Sequence, residues 1–134
     1  MIQRIQSIYL LLSVIFSIVA IAAPIPYAFS GETAMHFGGE MALVVLAALI
    51  AVVSLANIFL FRNRKLQMTI CNVITFLTLI MIGVAGYFSV AHEAVPDVPH
   101  YGTALPGLVL VANLLAKRGI KADEDLVRSA DRLR

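Results

Sequence analysis

Four long apolar stretches constrain what this chain can fold into more than any other feature of the sequence. A helix that crosses a bilayer needs about 20 mostly apolar residues, because a rise of about 1.5 Å per residue must span a core about 30 Å thick. The stretches therefore predict an all-α membrane protein. We place its four transmembrane helices at residues 5–23, 41–61, 66–91 and 103–118, within a bundle formed by residues 1–118.

The first stretch could also be read as a secretory signal. Ala20-Ile21-Ala22 resembles a small-residue cleavage site, but the apolar run is longer than a usual signal core. We therefore expect a retained membrane anchor.

The ten Lys and Arg residues predict the orientation of the four spans. Arg4 precedes the first span, three basic residues lie between the second and third, and six follow the fourth. Residues 24–40 and 92–102 contain none. Because short cytoplasmic loops of membrane proteins carry the excess of Lys and Arg, this pattern predicts that both termini are cytoplasmic.

The interiors of the spans contain no Asp, Glu, Lys, Arg or His, although the chain is 13% charged overall. Such residues inside a membrane usually mark ion pathways, proton relays or active sites. Their absence argues against a pump, a proton-coupled transporter and a hydrolase embedded in the bilayer. No nucleophile and base lie together in the sequence, so we expect neither an enzyme nor a cofactor. The net charge of +2 is too small to indicate that the chain binds nucleic acid.

All three histidines lie in the two segments that lack basic residues. Imidazoles and carboxylates on one face can form a metal site, but the spacing here is typical of ordinary solvated loop residues. We expect no resident metal. If one is bound, His92, Glu93 and His100 are its candidate ligands.

Three amides lie at a similar depth near the cytoplasmic ends of the spans. Asn57 precedes Arg62 by five residues, Asn72 follows Lys65 by seven, and Asn113 precedes Lys117 by four. Amides in hydrocarbon form interhelical hydrogen bonds. We interpret Asn57, Asn72 and Asn113 as a polar packing layer, with a site for a lipid headgroup or a quinone as the functional alternative.

Aromatic residues near the other ends of the spans, including Tyr27, Phe29 and Phe37, are expected to anchor the chain at the membrane interface.

The composition changes after Ala116. Gly119 is expected to end the fourth helix, and Asp123 to start a short amphipathic helix within a cytoplasmic tail at residues 119–134. The interaction face predicted for this tail consists of Leu126, Val127, Ala130, Leu133 and Arg128. Such a short helix needs a surface on which to pack, and its mixture of acids and bases favours a protein over lipid.

Both ends of the chain resemble a family of small bacterial four-span membrane proteins, a domain of unknown function. The opening of the chain carries Met1-Ile2-Gln3-Arg4-Ile5-Gln6 and Tyr9-Leu10-Leu11-Leu12. Its end carries Ile120, Asp123-Glu124, Leu126-Val127-Arg128-Ser129 and Asp131-Arg132-Leu133-Arg134. The resemblance implies four spans and a bacterial inner-membrane location, and it implies no functional residue.

The sequence therefore predicts a structural or accessory subunit that acts by helix packing and by docking of its tail. Its expected partners are the lipid bilayer and other membrane protein subunits, with a second copy of the chain as a further candidate. The alternative is a small-ligand or metal-binding sensor that uses the external histidines.

Overall fold

A computed structural model describes residues 2–30, 32–92 and 101–134 of the chain, with side chains from residue 5 onward. The elements follow the order α1 (Ile2–Ala22), β1 (Pro26–Ser30), β2 (Thr33–His36), α2 (Met41–Phe59), α3 (Arg64–Ala91) and α4 (Ala104–Arg132). Single 3₁₀ turns at Phe37–Gly39 and Tyr101–Thr103 precede α2 and α4.

All four helices are long and apolar enough to cross a bilayer, which confirms the four predicted apolar helices. Local sequence explains several of their ends. α1 ends just before Pro24 and Pro26, which cannot donate the backbone hydrogen bonds of a continuing helix. α3 begins after Asn63, whose side-chain oxygen accepts from the backbone N–H of Leu66 at 3.2 Å and so satisfies a free amide of the first turn.

The helices pack in the ring order α1–α2–α3–α4, with α4 closing on α1. Residues 60–63 join α2 to α3 directly, and the hairpin between α1 and α2 also contacts His92 after α3 and Gly102 before α4, so successive helices run antiparallel. The start of α1, the α2–α3 turn and the last part of α4 therefore meet at one end of the bundle. We call it the basic end, since the Lys and Arg residues lie there, and we call the opposite end, with β1 and β2, the hairpin end.

Small side chains fill the contact between α1 and α2. Ser13, Ser17 and Ala20 on α1 are buried, as are Ala47 and Ser54 on α2. The Ser13 and Ser54 hydroxyls lie 3.3 Å apart. Small residues let membrane helices approach closely, while large apolar side chains cover the outer surface that lipid would contact.

The first connection at the hairpin end is a two-stranded antiparallel sheet, which the all-α prediction missed. Ala28 pairs with Met35 and Ser30 with Thr33, and the register is irregular between Pro26 and Ala28. The prolines prevent a helix here, yet backbone groups close to a membrane still need hydrogen-bond partners. Pairing the two strands supplies them.

Two aromatic residues that were expected to anchor the chain at the interface are buried instead. The rings of Tyr27 and Phe37 lie 4.8 Å apart, and both side chains are almost fully enclosed. Gly102, just before α4, lets β1 pack directly against its backbone, because a Cβ at Gly102 would be 2.7 Å from the carbonyl oxygen of Pro26. The hairpin therefore closes this end of the bundle.

The fourth helix continues without interruption from Ala104 to Arg132, so the helix end expected at Gly119 and the new start at Asp123 are not observed. Gly119 has a different role. A Cβ there would lie 2.9 Å from Cγ of Gln6, so the missing side chain makes room for α1 against α4. Ile120, the next residue, is fully buried. This packing holds the chain helical where glycine would otherwise favour a break.

Candidate functional site

Two buried amides near the basic end, Asn57 and Asn113, converge on Cys71 of α3. The Asn57 side chain donates from Nδ2 to Cys71 Sγ at 3.3 Å, and the Asn113 side chain donates to the Cys71 carbonyl oxygen at 2.7 Å. Asn113 also donates to Thr75 Oγ1 at 2.7 Å. Asn57 and Asn113 are fully buried. We call Asn57, Gln67, Cys71, Thr75 and Asn113 the amide cluster.

Gln67 completes this cluster, although the sequence interpretation assigned it no role. Its Nε2 donates to the Asn57 carbonyl oxygen at 3.2 Å, and Asn57 Nδ2 lies 3.4 Å from the Gln67 carbonyl oxygen. These reciprocal contacts join the end of α2 to the start of α3. The signal that could have found Gln67 is its spacing, since it lies four residues before Cys71 and seven before Ile74, on the face of α3 that is buried.

Asn72 lies outside the amide cluster, which corrects the predicted three-residue layer. It is exposed on α3, and its Oδ1 accepts from Lys117 Nζ at 2.6 Å. The reason is rotation about the helix axis. Residue 72 follows Cys71 by one position, about 100° around the helix, so an equal depth does not place it on the same face.

A cleft of about 340 Å³ opens beside the amide cluster, between the start of α1 and the α2–α3 turn. Its lining consists of Gln6, Ser7, Ile8, Ile58, Phe61, Arg64, Gln67 and Asp123. We call it the basic-end cleft.

An ion pair crosses the wall of the basic-end cleft. Arg64 Nη2 lies 3.1 Å from Asp123 Oδ2, and Arg64 Nη1 donates to the Asp123 carbonyl oxygen at 3.3 Å. The two side chains are 26% and 15% exposed. Gln6 is buried in the same wall, and its Nε2 has no partner among the described residues. Asp123 therefore fastens the last part of α4 to the start of α3 instead of capping a separate helix.

Beyond Asp123, α4 exposes the apolar residues of the predicted tail face. Leu126, Val127, Ala130 and Leu133 are all exposed, Leu133 to 90%. Arg128 does not share their side of the helix, since it lies two residues from both Leu126 and Ala130. It pairs instead with Glu124 at 3.4 Å.

The external histidine candidates are only partly described. His36 on β2 and His92 after α3 line one groove of about 350 Å³ together with Glu40. His92 is held there by its carbonyl oxygen, which accepts from Ser30 Oγ at 2.7 Å. Glu93 and His100 lie outside the described residues. Within residues 2–30, 32–92 and 101–134, no three His, Cys, Asp or Glu side chains are close enough to hold a metal ion.

Tyr27 is a titratable group of the hairpin end whose pKa is shifted by its surroundings. Its hydroxyl is buried and has no partner among the described residues. Burial, and to a smaller extent the nearby charge of Glu40, raises the pKa of Tyr27 from 10.0 to about 12. The phenol is therefore neutral at physiological pH, where it acts as a packing group.

Comparison with known proteins identifies a family. No curated protein and no solved structure matches the chain. A family model described as a domain of unknown function matches residues 2–133. That match covers the four helices, the hairpin and the last part of α4, and the chain therefore belongs to the family Domain of unknown function (DUF4293).

Proposed function

We propose that this protein is a structural or accessory subunit of the bacterial inner membrane that docks the last part of α4 on a partner protein and carries out no chemistry of its own. The observation that carries the proposal is the unbroken course of α4 into an exposed apolar face. We call residues 121–132 of this helix the α4 extension.

The geometry of the α4 extension favours a protein over lipid. Ile120 is the last buried residue of α4, and at about 1.5 Å per residue the following 12 helical residues extend about 18 Å beyond it. A helix that binds lipid through its apolar face lies in the plane of the interface. The α4 extension instead continues the helix that packs in the bundle, and the Arg64–Asp123 pair holds its base against α3. Its apolar face therefore runs along the side of a helix that projects from the bundle, where a partner protein can contact it.

The proposal places both termini in the cytoplasm, and the distribution of charges supports this orientation. All described Lys and Arg side chains lie at the basic end or on the α4 extension and the residues after it, whereas Glu32, Glu40, His36 and His92 lie at the hairpin end. With both termini cytoplasmic, this arrangement follows the positive-inside rule, and the α4 extension faces the cytoplasm.

Site-specific photo-crosslinking in membranes tests the docking. A photoreactive residue at Leu126 or Leu133 should form a discrete protein adduct, and one at Arg132, on the opposite side of the same helix, should not. The double variant Leu126→Ser and Leu133→Ser, with a probe at Ala130, should lose the adduct while helix content is kept. Adducts with phospholipid alone, or equal adducts from Arg132, would contradict docking on a protein. An adduct of twice the chain mass would identify a second copy as the partner.

A second candidate function is a metal-binding sensor on the hairpin end. The observation in its favour is that His36 and His92 line the same groove. Metal analysis of the purified protein tests it: the sensor predicts bound metal that is lost in a His92→Ala and His100→Ala double variant. A metal-free protein after exposure to Zn²⁺ would discard this function.

A further inference from the structure

The basic-end cleft has one polar wall and one apolar rim. Arg64, Asp123 and Gln6 form part of the polar wall, and Ile8 and Phe61 form part of the rim. Ile8 and Phe61 are both more than half exposed on the outer surface of the bundle. A molecule in this cleft therefore meets charged groups on one side and can continue along an apolar helix surface on the other.

The position of the cleft places it at the depth of lipid headgroups. Arg64 is the first residue of α3, Phe61 lies two residues after the end of α2, and Gln6 lies near the start of α1. Since these helices are long enough to cross a bilayer, their ends lie at its polar boundary. The amphipathic cleft thus lies where a phospholipid presents both its headgroup and the beginning of its acyl chains.

The charges of the cleft select among headgroups. Arg64 and Asp123 are 3.1 Å apart and cancel each other, so a purely anionic headgroup gains no net attraction from the pair. A headgroup with both a phosphate and an ammonium group can contact Arg64 with the first and Asp123 with the second. Gln6 is buried in the same wall, and its Nε2 has no acceptor among the described residues.

We infer that the basic-end cleft binds one phospholipid with a zwitterionic, ammonium-bearing headgroup. Arg64 contacts the phosphate, Asp123 contacts the ammonium, and the acyl chains lie along Ile8 and Phe61. The lipid joins α1 to the α2–α3 turn at the base of the α4 extension. This inference does not depend on the docking proposed above, because it concerns the cleft and not the exposed apolar face.

Lipid competition followed by native mass spectrometry tests the inference. The delipidated protein is equilibrated with mixed micelles that hold equal amounts of phosphatidylethanolamine and phosphatidylglycerol with the same acyl chains. We expect one retained phosphatidylethanolamine per chain. Asp123→Asn removes the ammonium partner but keeps the backbone contact of Arg64, so the ratio of bound phosphatidylethanolamine to phosphatidylglycerol should fall about tenfold. Asp125→Asn removes the same charge from an exposed neighbour and should leave the ratio unchanged.

A second variant pair tests the phosphate contact. Arg64→Gln should abolish retention of both lipids, whereas Arg62→Gln, an equal loss of charge on the exposed turn, should not. Soluble phosphoethanolamine and inorganic phosphate, added to the same protein, distinguish a lipid from a free phosphate compound. Displacement of the lipid by either at equal concentration would overturn the lipid assignment. The site itself would be overturned if Asp123→Asn and Asp125→Asn changed the ratio of the two bound lipids equally, or if the native protein retained no lipid.

Discussion

Replacing Asn113 by alanine removes two hydrogen bonds that join α4 to α3. Its Nδ2 donates to the Cys71 carbonyl oxygen and to Thr75 Oγ1, each at 2.7 Å. Interhelical hydrogen bonds in membrane proteins contribute about 0.6 kcal/mol on average and up to about 1.7 kcal/mol. The two bonds therefore predict a loss of about 1–3 kcal/mol in the free energy of unfolding, and the shorter side chain adds the cost of a small cavity.

Asn72→Ala is the matched control for this substitution. It removes the same side chain from the same end of the bundle, but Asn72 is exposed and contacts only the flexible side chain of Lys117 among the described residues. We expect a loss within about 0.5 kcal/mol, as for most surface substitutions. Both variants remove a hydrogen bond between α3 and α4, so the difference between them isolates the effect of burying the amide and its bonds.

Unfolding by SDS in mixed micelles, followed by far-ultraviolet circular dichroism, measures both variants. Thr75→Ala and the double variant with Asn113→Ala complete a double-mutant cycle, in which the Asn113–Thr75 bond predicts a coupling of about 0.6 kcal/mol. Equal losses for Asn113→Ala and Asn72→Ala would refute the argument that the amide cluster stabilises the bundle. Strictly additive losses in the free energy of unfolding for Thr75→Ala and Asn113→Ala would also refute it, since they would show that the bond contributes nothing.

Two further predictions concern Gly119 and Tyr27. Gly119→Ala should destabilise the protein by about 1 kcal/mol, because its Cβ would lie 2.9 Å from Gln6 Cγ and the overpacking cost of about 1–3 kcal/mol exceeds the gain of about 1 kcal/mol in helix propensity. Gln6→Ala in the same chain should restore stability, and a lack of rescue in thermal unfolding would contradict this close approach. Because the folded-state pKa of Tyr27 is raised from 10.0 to about 12, its contribution to stability should be constant below pH 10 and be lost as the pH rises towards 12. Tyr27→Phe should remove that loss, so identical profiles of unfolding midpoint against pH for the two proteins would argue against a buried phenol.

The amide cluster shows how far sequence reasoning reaches inside the bundle. Counting residues from the charged ends placed Asn57 and Asn113 at the same depth, and both side chains reach Cys71. The same count included Asn72, which faces outward. The depth of a residue follows from the constant rise of a helix. Whether its side chain meets another helix depends on its angular position around its own helix and on where the neighbouring helix lies.

The basic-end cleft could not be predicted in the same way. Gln6, Arg64 and Asp123 come from the start of α1, the start of α3 and the far part of α4. No local pattern links residues so far apart in the chain. Gly119 is a related case, since its local preference is to end a helix, whereas the side chain that would meet a Cβ at this position, Gln6, comes from across the bundle.

The number of apolar helices and the segregation of the charges can be predicted from residue order alone, because both depend on the transfer of each residue between water and hydrocarbon. Which amides meet, the pairing of residues 26–36 as strands and the continuation of α4 past Gly119 become visible only in the folded chain. Those outcomes depend on packing and hydrogen bonding between segments distant in the chain, where the balance of contacts overrides the preference of any single residue.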